Sequence, residues 1–101
     1  MSETQTLRPA IDLLERDDHL LLLADLPGAL PDSLDLELDG NTLALTADAP
    51  ASVDGQPRRY SRRFKLGRAL DPERIAAKLT DGVLEVTLTK TTARKIPITA
   101  P

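Results

Sequence analysis

The sequence predicts an all-β domain, a sandwich of about seven to eight short strands. Apolar and polar residues alternate with period two in residues 34–38, 42–46 and 84–88. No segment shows a long pattern of helical period, and turn-forming residues recur about every 8–12 residues. Aromatic residues make up only 2% of the 101-residue chain, so the core must be built mainly from leucine. A chain of this length forms one domain.

The first strands are expected in residues 10–15 and 19–25. Residues 20–23 are four consecutive leucines, which suit a strand covered on both faces or a buried helix. Pro27 and Gly28 follow too soon for a helix, so a strand is favoured. Pro31 and Asp32 then form a plausible turn before the next strand.

Residues 34–46 predict a β-hairpin. Alternation places Leu34, Leu36 and Leu38 on one face of the first strand. The segment 39–41, Asp-Gly-Asn, contains residue types that tolerate a positive φ. The alternation resumes in residues 42–46, so two antiparallel strands joined by a tight turn are expected.

Residues 60–66 predict the next strand, after a Pro- and Gly-containing loop at 50–57. Tyr60, Phe64 and Leu66 share one face of this strand with Arg62. A guanidinium on an apolar face requires a polar partner, because burying an unpaired charge is costly. The partner of Arg62 is therefore a question for the structure.

Residues 71–74, Asp-Pro-Glu-Arg, predict a single helical turn with proline at its first position. Residues 75–79 and 84–88 then predict a second hairpin, entered through Asp81 and Gly82. After a polar segment the chain ends in an Ile-Pro-Ile motif, Ile96, Pro97 and Ile98. The motif suits an extended peptide that docks on a sheet edge, and equally a last edge strand of its own domain.

Composition argues against several functional classes. There is no cysteine and one histidine, so disulfides, thiolate metal sites and multi-histidine sites are excluded. His19 beside Asp17 and Asp18, and the carboxylates of Asp12 and Glu15, are read as solvated groups rather than a metal or acid–base site. The glycines are isolated, so no phosphate-binding loop is expected. We expect a cytoplasmic protein without cofactor, metal, enzymatic activity or membrane span.

The net charge of −3 conceals a strong asymmetry. Residues 1–57 hold 12 acidic and two basic residues, a net charge of −10, whereas residues 58–101 carry +7. Six basic residues fall between positions 58 and 68 without an acid: Arg58, Arg59, Arg62, Arg63, Lys65 and Arg68. This run can bind single-stranded nucleic acid, or it can pair with the acidic half within or between chains. The second interpretation is favoured, because Phe64 looks like a core residue and few rings remain to stack bases.

Three motifs give the chain a resemblance to the α-crystallin domain of small heat-shock proteins. Residues 24–28, Ala-Asp-Leu-Pro-Gly, resemble the end of the family's third strand. Residues 77–84 fit the signature A-x-x-x-[ND]-G-V-L, with Ala77, Gly82, Val83 and Leu84 at its fixed positions. The motif at 96–98 is similar to the family's C-terminal I-x-I anchor. Residues 61–64 resemble the strand that carries the family's arginine, here Arg62.

The resemblance implies an immunoglobulin-like antiparallel β-sandwich over residues 7–89, after a short N-terminal remnant at 1–6. Residues 90–101 would form a C-terminal tail with the anchor. It also implies an apolar groove that holds a neighbour's tail or a client. The expected groove residues are Leu34, Leu36, Leu38, Ile75, Ala77 and Leu79.

The function implied by the resemblance is that of an ATP-independent holdase, which binds partly unfolded proteins and limits their aggregation. An alternative is a non-holdase partner subunit or adaptor that co-assembles with longer small heat-shock proteins. Because little sequence precedes the match, we expect a dimer or small oligomer. The loop at 47–59 is short for a strand that swaps into a partner. The strands at 60–66 can instead pair edge to edge, with Tyr60, Arg62 and Phe64 at the interface, and the sequence does not decide between a swapped strand and edge pairing.

Overall fold

The computed structural model describes residues 4–51, 55–67, 69–91 and 100. Its strands are β1 (Gln5–Leu7), β2 (Ile11–Glu15), β3 (His19–Asp25), β4 (Asp35–Asp39), β5 (Thr42–Ala49), β6 (Arg58–Lys65), β7 (Leu70–Thr80) and β8 (Val83–Lys90). A 3₁₀ turn, Pro31–Ser33, precedes β4. The first sheet has the order β1-β6-β5-β4 and the second sheet β2-β3-β8-β7. All neighbouring strands are antiparallel except β1 and β6, so the predicted all-β, antiparallel-rich sandwich is confirmed.

The core lies between the two sheets and is built mainly from leucine. Alternate residues of β3, β5 and β8 point inward and are almost fully buried: Leu20, Leu22, Ala24, Leu43, Leu45, Ala47, Leu84, Val86 and Leu88. Of the four consecutive leucines, Leu21 and Leu23 face outward and are only half-buried. The strand is therefore covered on one face rather than both. Each fully buried leucine contributes about 1.5–3 kcal/mol relative to an exposed one.

Both predicted hairpins are present. In the first, Leu36 pairs with Leu45 and Leu38 with Leu43 across β4 and β5. In the second, β7 and β8 are joined by Asp81 and Gly82, whose φ angles are 50° and 79°. Two successive positive φ values fit a type I′ turn, whose twist matches that of the flanking strands.

The predicted helical turn at residues 71–74 is wrong. These residues belong to β7, and the pairing register with β8 shifts between Leu70 and Ile75. The Asp71 side chain accepts a hydrogen bond from the Glu73 backbone N–H at 3.0 Å, a local turn that competes with helix formation. Pro72 cannot donate to a sheet ladder, but it is tolerated in a bulge on an edge strand.

Strands β1 and β8 lie at the two ends of the described sandwich, close to the expected limits at residues 7 and 89. Strand β1 begins at Gln5, where its residues pair in parallel with Arg58–Tyr60 of β6, and β8 ends at Lys90. The Lys90 ammonium donates to Glu15 Oε2 at 2.9 Å and to the Arg16 carbonyl at 2.6 Å, which fixes the β2–β3 turn. Within the described residues, no helix has the length and apolar character needed to cross a bilayer.

Candidate functional site

Two contacts between the sheets define which strands lie opposite each other. Arg62 of β6 donates from Nη1 to the carbonyl of Pro9, just before β2, at 2.9 Å. The Tyr60 hydroxyl donates to the Pro27 carbonyl, just after β3, at 2.7 Å. The β6 side of the first sheet therefore lies over the β2–β3 side of the second. By the strand orders, β4 and β7 form the other flank of the sandwich, each as the edge strand of its sheet.

The flank formed by β4 and β7 carries half-buried apolar side chains, and we call this surface the edge groove because the sequence led us to expect a groove there. Leu36 and Leu38 point inward from β4, while Ile75 and Leu79 point inward from β7. These side chains pack against the core but remain half-buried, because none of the described strands covers them at the flank. The result is apolar surface beside two strand edges that have no neighbouring strand in the described part of the chain.

The other two expected groove residues occupy the same flank. Leu34 lies at the end of the 3₁₀ turn, is half-buried and packs against the core. Ala77 lies between Ile75 and Leu79, opposite the buried Val86, and is exposed. Its small side chain leaves space between its two larger neighbours. Each of the six predicted groove positions thus lies on β4, on β7 or immediately before β4.

Sequence reasoning missed a cavity at one end of this flank. It has a volume of about 450 Å³ and is lined by Gly40, Asn41, Gly67, Ala69 and Leu70. Gly40 directly follows β4, and Leu70 begins β7, so both walls of the edge groove lead to this cavity. The only sequence signal for this cavity is the pair Gly40 and Gly67, which follow β4 and β6. These glycines alone do not predict that the segments after the two strands lie side by side.

The residues predicted for a dimer interface fall into different environments. Tyr60 is only 4% exposed, so its side chain belongs to the core of its own domain. Strand β6 is also not an edge strand along Arg58–Tyr60, because β1 pairs with it there. In this single chain the first backbone positions of β6 are occupied by β1, and edge-to-edge pairing of residues 60–66 between copies stays a prediction. Arg62 and Phe64 are half-buried, and their place in an interface stays a prediction.

The structure supplies the partner that Arg62 requires. Besides its hydrogen bond to the Pro9 carbonyl, its guanidinium carbon lies 5.8 Å from the centre of the Phe64 ring, within cation–π range. Its Nε is buried and has no hydrogen-bond partner among the described residues. Arg62 thus ties β6 to the segment that leads into β2.

We expect Arg62→Met to lower the free energy of unfolding by about 1–3 kcal/mol, because it leaves the Pro9 carbonyl without its donor. Methionine keeps most of the apolar stem, so the loss reports mainly on the polar contact. Arg59→Met, on the same strand, is the matched control: its ion pair with Asp48 is exposed and 3.7 Å long, so a loss below about 1 kcal/mol is expected. Urea denaturation measures both. Equal losses would contradict a structural role for the Arg62 contact.

Two of the recognised sequence motifs contact each other. The Leu26 backbone N–H donates to the Gly82 carbonyl at 2.7 Å, so the β7–β8 turn packs on the segment that follows β3. Leu84 is fully buried, whereas Val83 is 43% exposed and pairs with Asp25. The signature residues Gly82 and Leu84 therefore hold the hairpin whose first strand forms one wall of the edge groove.

The only histidine makes a local contact. His19 Nδ1 donates to Asp18 Oδ1 at 2.6 Å, and this hydrogen bond lowers the pKa of the Asp18 carboxyl below its usual value. No group of three or more potential metal ligands occurs in the part of the chain that the structure describes. The tail anchor at 96–98 and Arg68 lie outside the described residues.

Comparison with known proteins gives consistent matches. A model of the "Hsp20/alpha crystallin family" matches residues 12–99. The 18 kDa antigen 2 of Mycobacterium avium is 35% identical over 94 residues, covering 82% of this chain and 68% of that protein. Small heat shock protein C4 of Rickettsia felis is 29% identical over 105 residues, covering 91% and 64%. The structure of heat shock protein 16.0 from Schizosaccharomyces pombe matches with a TM-score of 0.75 at 24% identity, covering 93% and 77%.

Proposed function

Because the chain belongs to the Hsp20/alpha crystallin family, we propose that it is a cytoplasmic, ATP-independent holdase. A chaperone-type role follows from the family. The finer proposal is that the chain binds partly unfolded proteins through the edge groove and thereby limits their aggregation. The observation that carries this proposal is that half-buried leucine and isoleucine side chains lie beside two strand edges on the same flank.

The chemistry of an unfolding client matches this flank. Such a client exposes apolar side chains and unpaired strand edges, the two features that drive aggregation. An extended client segment can add to the edge of β4 or β7 through backbone hydrogen bonds and place alternate apolar side chains in the edge groove. Binding the unfolded chain then withholds it from aggregation by mass action, without hydrolysis of a nucleotide.

We propose that the chain also forms a dimer or small oligomer, in which the tail anchor of one copy occupies the edge groove of another. Ile96 and Ile98 project to the same side when the segment is extended. Leu88 is eight residues before Ile96, a reach of at most about 26–29 Å. This length lets the tail leave its own domain, so tail and client would compete for the groove.

The proposal predicts that the chain suppresses aggregation of a client unfolded by a reductant, measured by light scattering. The chain has no cysteine, so the reductant acts on the client alone. Because withholding follows mass action, about 90% of the exposed client should be held when the free chain reaches about ten times the dissociation constant. Unchanged scattering at large molar excess would show that the chain is not a holdase.

A tail variant separates groove competition from client binding in the same assay. Ile96→Gly with Ile98→Gly should reduce the native mass of any assembly above the dimer and leave client suppression intact or stronger. Thr91→Gly with Thr92→Gly adds the same two glycines outside the anchor and should change neither property. A native mass unaffected by the isoleucine changes would argue against tail docking between copies.

A further inference from the structure

The outer face of the first sheet carries two charged rows of opposite sign. Alternation directs one acidic row outward from β4 and one basic row outward from β6. The acidic row consists of Asp35, Glu37 and Asp39, and the basic row of Arg59, Arg63 and Lys65. All six side chains are exposed. Between them run the small neutral residues Thr42, Ala44 and Thr46 of β5, which are half-buried.

The strand register aligns these rows. Glu37 and Arg63 both pair with Ala44, and Asp39 and Lys65 both pair with Thr42. The backbones that carry the two rows are two strand spacings apart, about 9–10 Å. Among the described residues no ion pair joins them. Arg59 contacts Asp48 of β5 at 3.7 Å, whereas Glu37, Asp39, Arg63 and Lys65 have no ion pair among the described residues of a single copy.

We propose that this charged face binds the same face of a second copy, about a two-fold axis parallel to β5. Rotation about such an axis places β4 of one copy over β6 of the other and preserves the height of each residue along its strand. Glu37 then faces the partner's Arg63, and Asp39 faces the partner's Lys65. An axis perpendicular to the strands would instead place acid over acid.

The charge pattern selects a second copy over other partners. A nucleic acid that approached the basic row would meet the acidic row about 10 Å away, within one Debye length at about 0.1 M salt. A second copy satisfies both rows at once, and a two-fold arrangement satisfies each pair twice. The small side chains of β5 at the centre allow the sheets to approach to the usual packing distance of about 10 Å.

This contact does not depend on the proposed holdase activity. Glu37 points outward, whereas Leu36 and Leu38 point inward to the edge groove, so the two surfaces lie on opposite sides of β4. The edge groove can be filled while the charged faces meet. The contact would therefore join copies independently of tail docking.

A single cysteine tests the contact, since the natural chain has none. Ala44 lies beside the proposed axis, so in Ala44→Cys the new thiol should face its own symmetry mate and react with a short bismaleimide to give a covalent dimer. Ala76→Cys, exposed on the outer face of the second sheet, is the matched control. The dimer yield should exceed that of the control and fall about tenfold or more between low and high salt, as exposed charges are screened. A yield no greater than that of Ala76→Cys overturns the proposal.

Charge reversal in the Ala44→Cys background makes the test specific. Glu37→Arg alone and Arg63→Glu alone should each lose the crosslink, because each places like charges opposite one another. A mixture of the two variants should regain it as a mixed dimer, recognised by mass, since positions 37 and 63 then again carry opposite charges wherever they face each other. Retention by either single variant, or no mixed dimer, overturns the proposal.

Two further measurements complete the test. Thermal melting followed by circular dichroism should show that both exposed substitutions leave the domain folded. Labelled single-stranded RNA is titrated at low salt. RNA binding without a crosslink at residue 44 would assign the face to nucleic acid and refute self-association. Client suppression by the same variants reports on the holdase separately, so failure of either idea is recognised without the other.

Discussion

Gly82→Ala is expected to lower the free energy of unfolding by about 2–4 kcal/mol, from backbone strain and steric contact together. The φ angle of Gly82 is 79°, a conformation that costs an L-residue about 1–2 kcal/mol. An added Cβ would also lie 3.2 Å from Pro27 Cα and 3.4 Å from the Leu26 carbonyl oxygen. Both neighbours are backbone atoms, which cannot rotate away as a flexible side chain does.

A substitution at Gly82 also affects the segment that follows β3 and the pairing of β7 with β8. The Leu26 N–H donates to the Gly82 carbonyl at 2.7 Å, so a shift that relieves the steric contact also lengthens this hydrogen bond. The same turn sets the register of β7 against β8, which positions Ile75 and Leu79 in the edge groove. We therefore expect Gly82→Ala to weaken client suppression as well as stability.

Gly40→Ala is the matched control for this prediction. Gly40 has a φ angle of 63° in the β4–β5 turn, but no heavy atom lies within 4 Å of the position that its Cβ would take. Gly40→Ala should cost only the backbone strain, about 1–2 kcal/mol. Urea denaturation at one protein concentration measures the free energy of unfolding of both variants. The loss for Gly82→Ala minus the loss for Gly40→Ala is the contribution of the steric contact. Equal losses at the two glycines would show that the contact with residues 26 and 27 is unimportant.

Much of the fold could be predicted from sequence because period-two alternation is a local signal. It identified both hairpins, the leucine-rich core and the inward-facing leucines of β4, whose alternation with Asp35 and Glu37 is unambiguous. The Gly82 turn could be predicted because its residue types and its motif agree. Each of these features is determined by residues within one strand or two neighbouring strands in the sequence.

What could not be predicted depends on contacts between distant segments. The carbonyl that accepts from Arg62 belongs to Pro9, 53 residues away, and alternation states only that a partner is needed. Strand β1 has three residues, too few to show a period, and it closes the β6 edge that was expected to be free. Residues 71–74 carry a local signal for a helical turn, but they lie in β7, which pairs with β8. A bulge between Leu70 and Ile75 accommodates the shift in register.

Leu45 and Leu36 pair directly across β5 and β4. We expect substitution of Leu45 to lower mainly the free energy of unfolding, and substitution of Leu36 to lower mainly client binding. Leu45 is 0% exposed, so Leu45→Ala should leave a sealed cavity and lower the free energy of unfolding by about 3–4 kcal/mol. Leu36 is half-buried at the open flank, where water can fill the space. Leu36→Ala should therefore cost only about 1 kcal/mol, since much of its apolar surface is already hydrated.

Client binding should show the opposite order. Leu36→Ala removes apolar surface from the edge groove, whereas Leu45→Ala leaves the groove side chains in place as long as the domain is folded. At a temperature where both variants remain folded by circular dichroism, Leu36→Ala should suppress client scattering markedly less than Leu45→Ala does. If Leu36→Ala suppressed scattering as well as the natural chain, the edge groove could not be the client site, whatever the stabilities of the two variants.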